Sequence, residues 1–506
     1  MTETAPGIVT AALNAWFGGS AGSLVDGEIR PGAGEPIALL NPVDGTPLLT
    51  YRCAGAAVAQ AAASGAARAQ LVWAALPAAE RGRRLFALGA LIRAEAPALA
   101  KLECAATGKP IRDTTAEVAA VAAMAEYYAG WCDKIEGRVV PVPSGHFVTV
   151  RREPFGVVLA ITPWNAPLFT AGWNAFPALA AGNAVVLKPS EYTPLSSLRL
   201  GQLAEQAGLP RGVLQVVAGQ GAGTGAALLA APEIAKVTFV GGPASGAVVA
   251  GACAARCLPC VLELGGKSAN IVFADADLAA AVQGAQQAIF AGAGQSCVAG
   301  SRLLVQASVH DRFVEMLAEA SARICLGNPL DPATEMGPVA NARQYASVCA
   351  MLSHGATEGR LLGGGQPAGA GQGYWLQPAI LAGMSNQARA AQEEIFGPVV
   401  AAIPFADEAE AIALANATRF GLAGAVWTRD LGRAHRVAAA VRAGTFWVNG
   451  YRSINVAVPF GGYSASGHGR SSGQEALLEY TQTKAVWMET REQPVLGFGH
   501  RPTESP

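Results

Sequence analysis

Five short apolar runs decide the fold: GVVLAIT (156–162), AVVLKPS (184–190), VLQVVAG (213–219), KVTFVGG (236–242) and CVLELGG (260–266). Each has the length of a strand and is rich in Val, Ile or Leu. Ala-rich helical tracts at 197–207, 223–231 and 244–255 separate them. Strand–helix alternation of this kind specifies a parallel, doubly wound α/β sheet.

Working outward, a second alternating block runs from 268 to about 465. SANIVF (268–273), RLLVQ (302–306), PVVAAIPF (398–405), AGAVWT (423–428) and TFWVN (445–449) read as strands, with helices at 277–290 and 407–417 among them. Residues 54–130 read as helical, with Leu85, Leu88, Leu91 and Ile92 at helical spacing. WCDKIEGRVVPVPSGHF (131–147) has strand and turn chemistry, and the tail ALLEYTQTKAVWMETREQPV (476–495) closes on the strand-like KAVWME. The last residues, HRPTESP (500–506), are expected to fray. The 131–147 stretch is thus a β-rich insertion between two α/β blocks, and an exposed strand edge invites pairing with another chain.

Composition bounds the function class. Of 506 residues, 14% are charged and 51% hydrophobic, with mean hydropathy +0.29. Such a chain can bury ample apolar surface, which excludes disorder. The 36 basic and 37 acidic residues leave a net charge of −1, so no nucleic-acid partner is expected from bulk charge. A membrane span needs about 20 uninterrupted apolar residues. The longest apolar tract, 155–187, is broken by Pro163, Pro167 and Pro177 and by Asn165, Asn174 and Asn183. The opening residues MTETAPGIVTAALNAWF lack the basic region and long apolar core of a secretion signal. A soluble, cytoplasmic protein follows, with no membrane partner and with part of its charge-poor surface covered by other subunits. The nine cysteines are no disulfide framework. Cys253, Cys257 and Cys260 share a spacing with an iron–sulfur motif, but they fall on a helix end and a strand start rather than on one loop. No metal is expected.

Five segments carry candidate chemistry. Cys297 lies in FAGAGQSCVAGSR after Gly292 and Gly294, which let the backbone approach a ligand closely. Glu263 ends an apolar strand just before Gly265 and Gly266, where open α/β sheets bind ligands; the alternative is a cap or a salt bridge. Asn165, in ITPWNAPL, is either an Asx-turn residue or an amide donor to an oxyanion. Nucleophile, carboxylate base and amide donor together fit thioester chemistry. Lys188 and Glu191 follow a buried strand in VVLKPSEYTP, as cofactor-contacting residues do. FVGGPASG places Pro243 first in a helix, whose free N–H groups and dipole suit a phosphate. Plain surface turns are the alternative for both. GQGAGTG (219–225) is a Gly-rich loop rather than a full dinucleotide fingerprint.

ITPWNAPL, LKPSE, LELGGKS, GQSC, EEIFGPV, FWVNGY and PFGGYSASGHGR occur in that order, and together they resemble the aldehyde dehydrogenase superfamily over residues 35–490. The 34-residue step from Glu263 to Cys297 agrees with it. The resemblance implies NAD(P)+-dependent oxidation of an aldehyde to a carboxylic acid. Cys297 would be the nucleophile, Asn165 and the Cys297 N–H the oxyanion donors, and Glu263 the base that activates water and helps deprotonate Cys297. Lys188 and Glu191 would bind the adenosine ribose. A carboxylate there repels a 2′-phosphate, so NAD+ is expected ahead of NADP+. Glu394 and Phe396 would hold the nicotinamide side and Trp164 would line the cleft. Ile161, Thr162, Pro163, Ser190, Gly221, Gly225, Phe239, Gly241, Gly242, Ser245 and Leu264 complete the expected cofactor contacts.

The resemblance also implies three parts: a dinucleotide-binding domain (1–131 and 152–262), a catalytic domain (263–475) and an oligomerisation element (132–151 and 476–495). It implies a homodimer or homotetramer. The sequence departs from the common pattern in three places. Gly241-Gly242-Pro243 replaces Gly-Ser-Thr, removing a hydroxyl from the pyrophosphate turn. Ala166 stands where Phe is frequent, which should widen the tunnel beside Asn165. Ser464 replaces a frequent Lys. The expected tunnel walls are Phe169, Trp173, Ser296, Val298, Arg452, Ile454 and Phe460, suited to a hydrophobic or aromatic aldehyde. Arg452, the one charge among them, either pairs with a substrate carboxylate or bridges backbone or a neighbouring subunit. Cleavage of the thioester by coenzyme A is the enzymatic alternative, against which Glu263 argues. A non-catalytic binding protein on the same fold is the other.

Overall fold

The computed structural model describes residues 3–364 and 373–492. The tail 493–495 and HRPTESP lie outside that range. Five parallel strands form the centre of an eight-stranded sheet, in the order Leu214–Val216, Ala184–Lys188, Val157–Ile161, Ile234–Val240, Cys260–Glu263. In chain order this is 3-2-1-4-5, so the winding reverses between Val157–Ile161 and Ile234–Val240. Crevices at such a switch point, at the carboxyl ends of the strands, are where open α/β sheets bind ligands. Thr162, Pro163 and Trp164 follow the first of these two strands, and Gly241 and Gly242 follow the second.

The edges of this sheet come from distant sequence. Ser23–Val25 and Glu28–Arg30 add a hairpin on one side. Gly467–His468, from within the 263–475 segment, pairs antiparallel with Cys260–Glu263 on the other. Apolar side chains from the helices Ala56–Ala75 and Pro243–Ala255 cover one face. Ala78–Ala94, Ile111–Ala129 and Pro167–Ala180 contribute to the core on the other. The expected helix at 223–231 begins differently: its glycines give a π-type turn at Gly221–Gly225, and regular helix is confined to Ala226–Ala230.

The second sheet has seven strands, in the order Arg360–Leu362, Ala379–Ala382, Val399–Phe405, Arg302–Gln306, Ala269–Val272, Ala423–Trp427, Thr445–Val448. All pairings are parallel except the first. Three of its helices start at a side-chain cap: the carboxylates of Asp277, Asp407 and Asp430 accept N–H bonds from residues three positions on.

Thr481–Glu489 pairs antiparallel with His146–Pro154, and Arg138–Val140 adds a third strand. The pairing extends three residues beyond 151, and the tail opens with the helix Gly473–Glu479 before becoming strand. Val139, Phe147 and Trp487 on this small sheet are exposed. No described helix is long and apolar enough to cross a membrane. Cys253 is buried in a helix, Cys257 is exposed in a left-handed turn and Cys260 is in a strand. Among the described residues no group of three His, Cys, Asp or Glu is placed to hold a metal.

Candidate active site

Cys297 follows a tight turn, Ala291–Gly294, in which Gly292, Ala293 and Gly294 all have left-handed backbone angles. Glycine at two of these three positions keeps the cost of that geometry low. The turn lifts Cys297 from the helix Leu278–Ile289 towards the end of the strand Cys260–Glu263. The meeting point is Gly265-Gly266. A Cβ on Gly266 would lie 2.5 Å from the Cys297 carbonyl oxygen, and one on Gly265 would lie 2.0 Å from a Glu394 carboxylate oxygen. The Gly266 N–H donates to Glu394 Oε1 at 3.0 Å. The two glycines therefore admit the Cys297 loop on one side and the Glu394 loop on the other.

Glu263 is buried at the end of its strand. The Trp173 indole Nε1–H donates to its Oε1 at 3.4 Å. Its main-chain carbonyl accepts from the Gly241 N–H at 3.0 Å, tying Glu263 to the turn before the helix Pro243–Ala255. Burial pushes its carboxyl up to about 7, opposed by hydrogen bonds from Ser471 and Trp173 and by the charge of Arg470. The Cys297 thiol is pushed up to about 12, by desolvation first and then by the carboxylates of Glu263 and Glu394. Arg452 and the Val298 N–H act in the opposite direction. Without further positive charge Cys297 rests as a thiol.

Asn165 Nδ2 donates to the Gln295 carbonyl at 2.9 Å, two residues before Cys297. One amide N–H is thus fixed on the nucleophile loop, and that bond orients the other. Ser296 and Val298 flank Cys297, and the Val298 carbonyl accepts from Tyr451 Oη at 3.0 Å. Trp173 stacks on Phe169, with centroids 5.2 Å apart, and meets Phe460 edge-on at 5.9 Å. Three of the expected tunnel walls therefore form one aromatic cluster, which touches Glu263 through the indole. Arg452 Nη1 donates to the carbonyls of Ala291 at 3.0 Å and Gln287 at 3.3 Å. Arg452 thus bridges backbone, one of its two expected roles. Ile454 is 44% exposed on the same loop.

At the switch point Trp164 meets Phe396 edge-on, 5.4 Å between centroids, and Phe396 has a left-handed backbone. Thr162 is buried, and its N–H donates to the Lys188 carbonyl. The Lys188 ammonium is buried 3.8 Å from Glu191 Oε2, and desolvation lowers its pKa despite that partner. Tyr51 Oη donates to the Glu191 carbonyl and fixes the turn. Lys188 also runs beside Gly225 of the π-type turn, whose Gly221 has open space around it. Ser190, Ile161 and Phe239 are buried in the same rim, and a Cβ on Gly241 would press into the Phe239 ring. Leu264 packs against Gly246.

Gly242 caps the helix Pro243–Ala255 without a side-chain bond, and nothing stands within 4 Å of where its Cβ would be. The exposed helix N-terminus, the buried ammonium of Lys188 and the unpartnered Thr162 hydroxyl fit the anionic and hydroxyl-rich parts of a dinucleotide. Ser245 is exposed one turn away. Ser464, exposed and left-handed, stands where a Lys is frequent, and nothing in the structure explains the change.

The sequence reading assigned no role to Tyr451, Gln295 or the Gly265-Gly266 contact. Gln295 binds the Gly292 carbonyl through Nε2 and accepts from the Ala340 N–H through Oε1, so it braces the turn before Cys297. The available signal was a polar residue inside a Gly-rich run.

The sequence model of the aldehyde dehydrogenase family matches residues 29–486. The chain is 45% identical over 427 residues to (Z)-2-((N-methylformamido)methylene)-5-hydroxybutyrolactone dehydrogenase of Acinetobacter baylyi, covering 84% of this chain and 87% of that one. It is 43% identical over 472 residues to betaine aldehyde dehydrogenase of Cereibacter sphaeroides, covering 93% and 97%. The structure of indole-3-acetaldehyde dehydrogenase AldA of P. syringae, a cysteine-to-alanine mutant in complex with NAD+ and IAA, superposes with a TM-score of 0.92 at 40% identity, covering 96% of this chain and all of that one. With the family model and relatives of more than 40% identity both spanning nearly the whole chain, the chain belongs to the aldehyde dehydrogenase family.

Proposed function

We propose that this enzyme oxidises an aldehyde to its carboxylic acid with NAD+, through a thioester on Cys297. The observation that carries the reading is that the Cys297 loop is bonded by the Asn165 amide at the Gln295 carbonyl and packs against Gly266, three residues after the buried Glu263. Cys297 reacts as its thiolate, its proton passing to solvent. The thiolate attacks the aldehyde carbon, and the free Asn165 N–H and the Cys297 backbone N–H stabilise the oxyanion. Bound NAD+ supplies the hydride acceptor. Glu263 then deprotonates a water, which hydrolyses the thioester and releases the acid. Lys188 and Glu191 would hold the adenosine ribose, the N-terminus of Pro243–Ala255 the pyrophosphate, and Glu394 and Phe396 the nicotinamide end. The Glu191 carboxylate favours NAD+ over NADP+.

The Phe169–Trp173–Phe460 cluster supports a hydrophobic or aromatic aldehyde. Arg452 would set a charge preference: its positive charge acts on Cys297, and it would disfavour a cationic aldehyde. A carboxylated aldehyde would use the guanidinium edges not spent on Gln287 and Ala291. We further infer a homo-oligomer, with the Thr481–Glu489 sheet and its exposed Val139, Phe147 and Trp487 facing another copy.

Trapping the intermediate tests the reading. Glu263→Gln should accumulate a protein–acyl mass adduct after mixing with aldehyde and NAD+. Cys297→Ala should form neither adduct nor NADH while still binding NAD+. Normal turnover by Cys297→Ala would refute it.

A further inference from the structure

Trp173 faces two ways. Its ring is clamped between Phe169, stacked at 5.2 Å with 26° between planes, and Phe460, edge-on at 5.9 Å. It sits in the middle of Pro167–Ala180, a helix buried over most of its length. The indole therefore has no freedom to turn, and its single N–H has one destination, Glu263 Oε1 at 3.4 Å. An indole N–H donates and never accepts. It can hold the carboxylate form of Glu263 but cannot take up its proton. A bond of this kind favours the charged base in a site whose burial favours the neutral acid.

We propose that Trp173 is a positioning residue for Glu263: the aromatic cluster clamps the indole so that its N–H keeps the base oriented and available for thioester hydrolysis. The proposal rests on Glu263 being the base of the reaction. It assigns Trp173 to the hydrolytic half of the cycle, in addition to its place in the tunnel wall. The groups acting with Glu263 are Trp173, Ser471 and Arg470, which favour its charged form, and the Cys297 thiol and the Tyr128 and Tyr480 phenols, whose own pKa values its carboxylate raises. Ser471 remains when Trp173 is changed, so removal of the N–H should shift the titration rather than abolish it.

Trp173→Phe keeps an aromatic ring and removes the donor. If Glu263 then titrates about one unit higher, a base half-ionised near neutrality drops to about one-tenth ionised, and steady-state turnover falls about fivefold. The loss should recover at alkaline pH. Single-turnover NADH formation with an aliphatic aldehyde should be little changed, and the acyl-enzyme mass adduct should live longer. A purely structural role for Trp173 would lower activity at every pH and would not prolong the adduct. Benzothienylalanine at 173, with the indole shape but no N–H, is the second variant should Trp173→Phe fail to fold, and it should show the same shifted profile. Glu263→Gln is run alongside to separate the two readings. If either Trp173 variant gives the wild-type pH profile and adduct lifetime while Glu263→Gln loses the acidic limb, the Trp173 proposal is overturned alone. If Glu263→Gln keeps the acidic limb, the reading of Glu263 falls and the proposal with it.

Discussion

Gly294 is the position at which one methyl group should separate the nucleophile from the rest of the site. Its backbone is left-handed, as is that of Gly292 two residues earlier, so Ala at either carries a conformational cost of about 1–2 kcal/mol. Their surroundings differ. A Cβ on Gly292 meets nothing within 4 Å, whereas one on Gly294 would lie 2.0 Å from the Gly397 carbonyl oxygen and 2.3 Å from its carbon. Both obstructing atoms are backbone, from the loop that carries Glu394 and Phe396. Ordinary contact begins near 3.4 Å, so the loops must part by about 1.4 Å. Overpacking of this kind costs about 1–3 kcal/mol beyond the backbone cost, and a misplacement near 1 Å costs about 100-fold in rate. Gly294→Ala should therefore fall about 100-fold in kcat/KM for aldehyde oxidation, with slower labelling of Cys297 by iodoacetamide. Gly292→Ala should lose stability comparable to its backbone cost and keep most of its activity. NADH absorbance, alkylation rates and thermal unfolding of the two variants measure this directly. Equal loss of activity in both would refute the claim that the Gly397 contact registers the nucleophile against the Glu394 loop.

Two further outcomes follow from charge. Arg452→Leu should lower kcat/KM for carboxylated aldehydes relative to neutral ones, and Arg452→Glu should raise the relative rate with a quaternary-ammonium aldehyde; unchanged ratios would show that Arg452 serves only the Ala291 and Gln287 carbonyls. Glu191→Ala should narrow the preference for NAD+ over NADP+ in paired kcat/KM measurements, because it removes the charge that repels a 2′-phosphate and frees the buried Lys188 to approach it.

Much of the molecule was legible in the chain. The five apolar runs specified the parallel sheet because a strand buried on both faces needs uninterrupted Val, Ile and Leu, and that requirement is local. Asp277 and Asp407 marked helix starts for an equally local reason. Cys297, Glu263 and Asn165 were candidates because each is a polar group in an apolar or Gly-rich run, and their roles came from the family resemblance rather than from local pattern. The start of the 223–231 helix was not legible: four glycines allow several turn types, and packing selected the π-type one. Nor were the roles of Gln295 and Tyr451, which brace the nucleophile loop by contacts that span up to 153 residues.

Sequence alone determined the strand–helix alternation of a doubly wound sheet and placed Glu263, Lys188 and Glu191 just after its buried strands. Tertiary structure decided what each of them faces. It gave the Arg452 guanidinium backbone carbonyls to hold, aimed the Trp173 indole at Glu263, and drew Cys297 and Glu394 together across Gly265-Gly266. The physical reason is distance along the chain. Propensity and burial act within a few residues, whereas the 3.4 Å between Trp173 and Glu263 joins positions 90 residues apart and exists only when helix and sheet have packed.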